Sequence, residues 1–431
     1  MKKEISPISR VGGGYLKVKV EIRDGFVKKA YISGEMYRGL EKILENRHFM
    51  DPIRITQRAC GLCCEAHGLA SCKAIENAIN ANVEPNGEKI RDLIICLNII
   101  SNHLLQFYQF TLPDYIDFSV LDEPPLVLRN SLKAPDLLKN KSIVKDLFKN
   151  YLNSFELRTR ISQGIAILGA KTPFAHAMLV GGVSTALRTD DIGFLLSLLN
   201  DIEKFLKLYE EDILFLASNF KKLFEIGKGP GNYLSVSHLY TSGKVLVNGK
   251  EEDLNVSNIT EKKPEYGFIK IPRYKGKVME VGPLAECIIK KEKKFFKILK
   301  NLNVPYEKAN SVMGRLIARY VDSYLAYKYA RKLLEDISAK KNNIYWKDPD
   351  DFYEGKGYGF VKSPRGALLH YISIKESKVK KYSIISSSMW NFSAGGAAEI
   401  ALKNCPVESE DLINVGRVIR SFDPCVACAT L

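Results

Sequence analysis

Arg58-Ala-Cys60-Gly-Leu-Cys63-Cys64-Glu-Ala-His67 and Ser421-Phe-Asp423-Pro424-Cys425-Val-Ala-Cys428-Ala-Thr-Leu431 are the stretches that decide the fold of this 431-residue chain. Each holds two cysteines separated by two residues. That spacing brings both sulfurs together at a turn or a helix start, where one metal can take them. Two pairs supply four thiolates, and soft thiolates select zinc, iron–sulfur clusters or softer transition-metal centres. Spacing alone does not choose among these. The interval from Cys63 to Cys425 is far longer than in a zinc ribbon. A site joining the pairs must lie inside a folded body, not in a small metal module. A thioredoxin-type redox pair lacks its βαβ setting at either motif.

Working outward, residues 15–33 alternate apolar and polar around Arg23-Asp24-Gly25, which reads as a β-hairpin. Apolar residues then recur at i, i+3, i+4 over 36–46, 69–82, 88–112, 142–167 and 188–226, which reads as helix. Asn86-Gly87 and Gly229-Pro230-Gly231-Asn232 are read as breaks. Residues 233–281 alternate again, as a sheet excursion from the helical body. Helices are expected at 284–303 and 305–337. Short strands (YGFVKS, ALLHYISI, YSIISSS) and helices at 396–403 and 408–420 follow. No repeat or Pro/Ser-rich linker divides the chain. The expectation is one α+β body with a helical-bundle core. Its parts are a β-hairpin (1–35), a helical core (36–227), a β excursion (228–282), and helices with the C-terminal site segment (283–431).

Composition narrows the function classes. Hydrophobic residues make up 46% and charged residues 26%, which excludes disordered and collagenous chains. No window reaches about 18 uncharged apolar residues, so no membrane span is expected. MKKEISPISR has no apolar run behind its basic residues, so a soluble, cytoplasmic chain is expected. Lys+Arg 64 against Asp+Glu 49 gives a net charge of +15. The lysines are spread along the chain and no nucleic-acid motif accompanies them, so a solvated basic surface is expected and no nucleic-acid partner. Nine cysteines in a chain of this length do not suggest a disulfide framework.

RxCGxCxxxH early and DPCxxC late together resemble the large subunit of [NiFe]-hydrogenases. Further matches cover nearly the whole chain. Arg38-Gly39-Leu40-Glu41 resembles the family's RGxE, and His103-Leu-Leu-Gln106-Phe107-Tyr108 its HxxHFY. Gly169 to Val183, with His176, resembles a glycine-rich family segment. Glu280-Val-Gly-Pro-Leu-Ala285 resembles EVGPLA, Ser363-Pro-Arg365-Gly-Ala-Leu-Leu-His370 resembles APRGxLxH, and Trp390-Asn391 resembles TWN.

The resemblance implies nickel held by Cys60, Cys63, Cys425 and Cys428, with Cys63 and Cys428 bridging to an iron that carries CO and cyanide. It implies Cys425 as the base in heterolytic H2 cleavage and His67 as a hydrogen-bond partner of a bridging sulfur. Arg365 would cover the open metal position and contact cyanide, with Asp423 facing it and Ser387 on the cyanide wall. Glu41 would be the acidic ligand of an Mg²⁺ site. Cys64, Cys72, Cys96, Cys287 and Cys405 match no ligand position and read as small buried side chains. Electrons would leave through an Fe–S small subunit. Further electron-transfer subunits of flavin, deazaflavin, ferredoxin or heterodisulfide reductase type are also expected.

The chain also departs from the family pattern. R-[IV]-E-G-H appears as Arg10-Val11-Gly12-Gly13-Gly14, so glycine replaces the proton-passing glutamate. Asn102 stands where several members carry an aspartate. Lys362 replaces an acidic residue, and Ser386–Ser388 replace the usual Pro-Ser/Thr. Leu431 stands where many members have a histidine that ligates Mg²⁺. H2 chemistry with altered proton handling is the leading expectation. A NiFe or nickel-thiolate enzyme acting on a sulfur species, a low-turnover sensor or relay, and a structural metal protein are the alternatives.

Overall fold

Leu16, Val18, Val20 and Ile22 point into the core while their neighbours face outward, so the strand Leu16–Arg23 forms as the alternation requires. It pairs with Phe26–Gly34 across Asp24-Gly25, both with positive φ (53° and 75°), the backbone that suits a two-residue hairpin. Lys2–Ile5 adds a third strand, too short and polar to be read from alternation. The computed structural model describes residues 1–124, 134–338, 345–346, 354–408 and 410–431.

The expected α+β body with a helical core is observed. Its centre is the helix Pro85–Leu104, buried on nearly every side. It packs against Lys141–Gly169 and Val312–Ser338, and the latter packs against Thr189–Asn219. Asn86-Gly87 is not a break: Pro85 occupies the first helical turn, where a missing N–H costs nothing, and the helix runs through both residues. A wider-wound turn, Leu105–Thr111, continues it. Pro85–Asp114 is also long and apolar enough to cross a membrane by length and composition, and 83% of its apolar 18-residue stretch is buried inside the fold. The stretch after Asp92 is free of charge but not continuously apolar, since Asn98, Ser101, Asn102, His103 and Gln106 interrupt it, and all of these but the half-buried Ser101 are buried within the fold.

The mid-chain excursion forms small antiparallel sheets, Tyr233–Leu234 with Lys244–Val247 and Lys250–Asp253, and Ile259–Lys262 with Ile271–Tyr274. The expected helix at 284–303 is two, Pro283–Ile289 and Lys293–Asn301, because Lys291 takes positive φ between them. Gly355–Ser363, Gly366–Lys375 and Lys378–Ile385 form an antiparallel meander. The expected strand YSIISSS ends at Ile385; Ser386 caps a helix, Ser387–Phe392. Shorter helices, Ala397–Leu402 and Ile413–Ser421, lead to the last cysteines.

The site depends on one packing device. The helix Cys64–Ile79 lies directly on the strand Gly355–Ser363. A Cβ at Gly355, Gly357 or Gly359 would stand 2.0, 2.2 and 2.0 Å from the carbonyl oxygens of Ala78, Ala74 and Ala70. Glycine every second residue of the strand meets alanine every fourth of the helix, and the two backbones touch. This contact holds the first cysteine motif against the sheet that carries Arg365 and His370.

Candidate metal centre

Cys60 stands just before a bend over residues 61–63, and Cys63 caps the helix Cys64–Ile79. The Leu62 and Cys63 amides donate to Cys60 Sγ at 3.2 and 3.4 Å. Cys425 caps the short helix Val426–Ala429, which puts Cys428 one turn further on. The N-terminal glycines strap this pair down. Gly12 N–H donates to Pro424 O (2.9 Å), and the Val426 and Ala427 amides donate to Gly12 O (3.0 Å) and Gly13 O (2.7 Å). Arg38 ties the two motifs together by donating to the Ala59 and Ala427 carbonyls.

The structure thus brings Cys60, Cys63, Cys425 and Cys428 together, all buried, with every sulfur within 4.8 Å of the others. Cys60–Cys425 and Cys63–Cys428 are 3.2 Å apart, and Cys425–Cys428 3.1 Å. Hydrogen bonds from the other thiols hold Cys60 well below the usual thiol range, while burial pushes Cys428 well above it. One thiolate forms readily and further ionisation is opposed. Four thiolates here therefore require a cation among them. The quartet fits a soft metal centre by donor type, distance and burial. The other five cysteines are buried, as expected, and outside this group.

Arg365 supplies fixed positive charge beside the quartet. Burial opposes its charge, but Asp423 and the Cys425, Cys63 and Cys60 sulfurs outweigh this and hold the guanidinium protonated. Its NH2 donates to Asp423 Oδ1 (3.2 Å) and its Nε to Asp423 O (3.0 Å). Its NH1 donates to Asn102 Oδ1 (3.3 Å), so Asn102 joins Asp423 as a partner of the guanidinium. Arg319 approaches Asp423 Oδ2 at 3.5 Å, a partner with no sequence signal of its own. Asp423 holds positive φ (56°), a backbone that turns the chain out of Ile413–Ser421 into the second motif.

His67 Nε2 lies 3.5 Å from Cys428 Sγ, and its Nδ1 lies 3.0 Å from His370 Nε2. His370 Nδ1 in turn meets Tyr382 OH (2.8 Å) and Ser71 Oγ (3.2 Å). Burial pushes His67 down to about 4 and His370 well below the usual imidazole range, so both rings are neutral. A Tyr382 hydroxyl donating into His370 orders the row so that His67 donates to Cys428. Sequence reading left His370 without a role. Its signal was a histidine on the apolar face of a strand, in phase with Leu368 and Ile372.

The three serines take different partners. Ser387 Oγ meets Ser363 Oγ (3.1 Å), whereas Ser388 Oγ accepts from the Cys425 amide (3.0 Å) and Ser386 Oγ donates to Cys428 O (2.6 Å). Lys362 is fully buried and turns to Glu286 and to Asp322 (3.0 Å). Glu41 is not among the metal-ready side chains: Lys270 Nζ (2.7 Å) and the Ile384 amide (2.6 Å) both donate to its Oε1.

A profile of the nickel-dependent hydrogenase family matches residues 38–126, 134–256 and 240–431. The chain is 31% identical to the periplasmic [NiFeSe] hydrogenase large subunit of Desulfomicrobium baculatum, over 100% of this chain and 94% of that one. Identity to the hydrogenase-2 large chain of Escherichia coli K12 is 28%, over 99% and 96%. Crystal structures of the D. baculatum enzyme and of the Desulfovibrio vulgaris Hildenborough [NiFeSe] hydrogenase each superpose with a TM-score of 0.93, at 30% identity and full coverage of both chains. The fold and the cysteine quartet define a nickel-thiolate oxidoreductase. The chain belongs to the nickel-dependent hydrogenase family, as a large subunit.

Proposed function

We propose that this chain is the catalytic subunit of an H2-converting complex, splitting or forming H2 heterolytically. The observation that carries the reading is the buried quartet with Arg365 and Asp423 beside it. Cys60, Cys63, Cys425 and Cys428 would hold nickel, and Cys63 and Cys428 would share it with an iron carrying CO and cyanide. Bound there, the metal pair supplies a soft, electron-rich centre at which H2 is polarised.

The chain's own residues then do the following. With the metals bound, H2 would yield two protons and two electrons: Cys425 Sγ is the group placed to take one proton, the second proton would pass to solvent, and both electrons would pass to the partner's clusters. Arg365, rigid in a dry pocket, stabilises negative charge at the reacting position. His67 holds Cys428 by a hydrogen bond and limits its basicity. Gly12 lies against Cys425 but carries no group to take the proton onward, so proton exit follows another route.

An Fe–S small subunit completes the reading. Gly13, Gly14, Tyr15 and Gly61 are exposed beside the cysteine motifs, and exposed Tyr37 stacks on Phe268 at 5.7 Å. This apolar, glycine-rich rim suits a docked partner that brings a cluster close to the sulfurs. Further electron-transfer subunits and a cytoplasmic setting belong to the same proposal.

An infrared spectrum of the anaerobically purified complex in the CO and cyanide stretching region tests it. Bands that shift under H2 are expected. Bands that ignore H2 would transfer the centre to a non-H2 substrate or a sensor. Absence of bands in matured protein would remove the diatomic-ligated iron.

A further inference from the structure

Glu41 was expected to ligate a divalent cation, and its surroundings do not fit one. Mg²⁺ requires an octahedron of oxygens at about 2.0–2.1 Å. Here Glu41 Oε1 already accepts from the Lys270 ammonium (2.7 Å) and the Ile384 amide (2.6 Å), and the ammonium's charge would repel a metal ion. The same ammonium reaches Glu261 Oε2 at 2.9 Å and Ser383 Oγ at 3.4 Å. Leu431 offers no imidazole. Among the described residues, the cysteine quartet is the only group of three or more His, Cys, Asp or Glu side chains placed to share a metal.

We propose that the Lys270 ammonium is the resident cation of this corner and that the chain binds no divalent ion there. It joins four pieces of chain: the helix Leu40–Leu44 through Glu41, the strand Ile259–Lys262 through Glu261, its own segment, and the strand Lys378–Ile385 through Ser383. The side chains of Lys270, Glu41 and Glu261 are 17%, 25% and 32% exposed, so the cluster is shielded but not sealed. It also backs the second cysteine motif. Ile269, beside Lys270, and Thr430, two residues past Cys428, both press on Gly34. A tethered cation in this place cannot be lost to a chelator. The inference does not depend on H2 being the substrate.

The test is metal analysis and thermal unfolding of the purified complex, before and after EDTA. The expected result is no stoichiometric Mg²⁺ or Mn²⁺ and an unchanged unfolding midpoint. Lys270→Ala should lower the midpoint, and millimolar Mg²⁺ should restore it, since Glu41 and Glu261 then face each other without a cation. Lys270→Arg should stay near the parent midpoint without Mg²⁺. One EDTA-removable divalent ion per chain in the unaltered complex, with a falling midpoint, would overturn the proposal whether or not the variants fold. An unchanged midpoint in Lys270→Ala, or failure of Mg²⁺ to restore it, would overturn the equivalence of ammonium and metal.

Discussion

The cysteine quartet and the Lys270 corner are two polar clusters in one molecule, each tying together segments far apart in sequence, and they solve the charge problem in opposite ways. The quartet assembles only acceptors, Cys60, Cys63, Cys425 and Cys428, and must receive its positive charge from outside. The corner carries its own cation between Glu41 and Glu261. The difference teaches what a family departure means physically. Where a side chain supplies the charge, the metal becomes dispensable; where all donors are thiols, it does not.

The sharpest way to break this comparison is to spoil the quartet. Cys425→Ser should abolish H2-dependent viologen reduction and lower nickel content, measured by dye assay and metal analysis. Retained nickel with full activity would show that Cys425 is not a ligand. Next in size, Arg365→Lys keeps the charge but loses the fork that grips Asp423 and Asn102. A drop of about 10²–10³-fold in turnover at unchanged metal content is expected from loss of preorganised charge. Gly12→Glu sharpens the comparison from the proton side. A Cβ there would meet Cys425 Cα and Pro424 O at 3.2 Å, so a stability loss of about 1–2 kcal/mol is expected from crowding. Against that cost, H2/D⁺ exchange should rise if the missing carboxylate limits proton transfer. No rise means an existing route suffices.

The smallest effect concerns a third charged cluster, Lys362 between Glu286 and Asp322. Burial, helped by the Asp322 charge, raises Glu286 to about 7 against the pull of Lys362. Its folded value therefore lies above its ordinary 4.5, and the folded chain holds a proton that the unfolded chain releases. The stability this gives is complete below about 4.5 and is lost as pH rises through 7. A decline of up to about 3 kcal/mol between those limits is expected from this group in denaturant titrations. Glu286→Gln should flatten that slope.

Much of the site was legible because its chemistry is written locally. A CxxC pair reveals its ligands, and the mutual distances of the four sulfurs follow from the two pairs meeting. The hairpin was legible because alternation and Asp24-Gly25 agree. What stayed hidden was set by tertiary contact. Pro85 reads equally as a stop or a start until the helix behind it is seen. Gly355, Gly357 and Gly359 look like a weak strand until Ala70, Ala74 and Ala78 lie on them. Lys270 is one lysine among many, and nothing in its neighbours announces that it faces Glu41, 229 residues away. His370 needed the strand register before it could be joined to His67.

The two halves of the quartet are separated by 365 residues. On a ribosome adding 5–20 residues each second, roughly 20–70 s pass between the first sulfur pair and the second. Closure comes only when Cys425 and Cys428 emerge and the Gly12 strap engages them. The four-sulfur site therefore cannot exist until the second cysteine pair has been made, so a metal held by all four must arrive after that point.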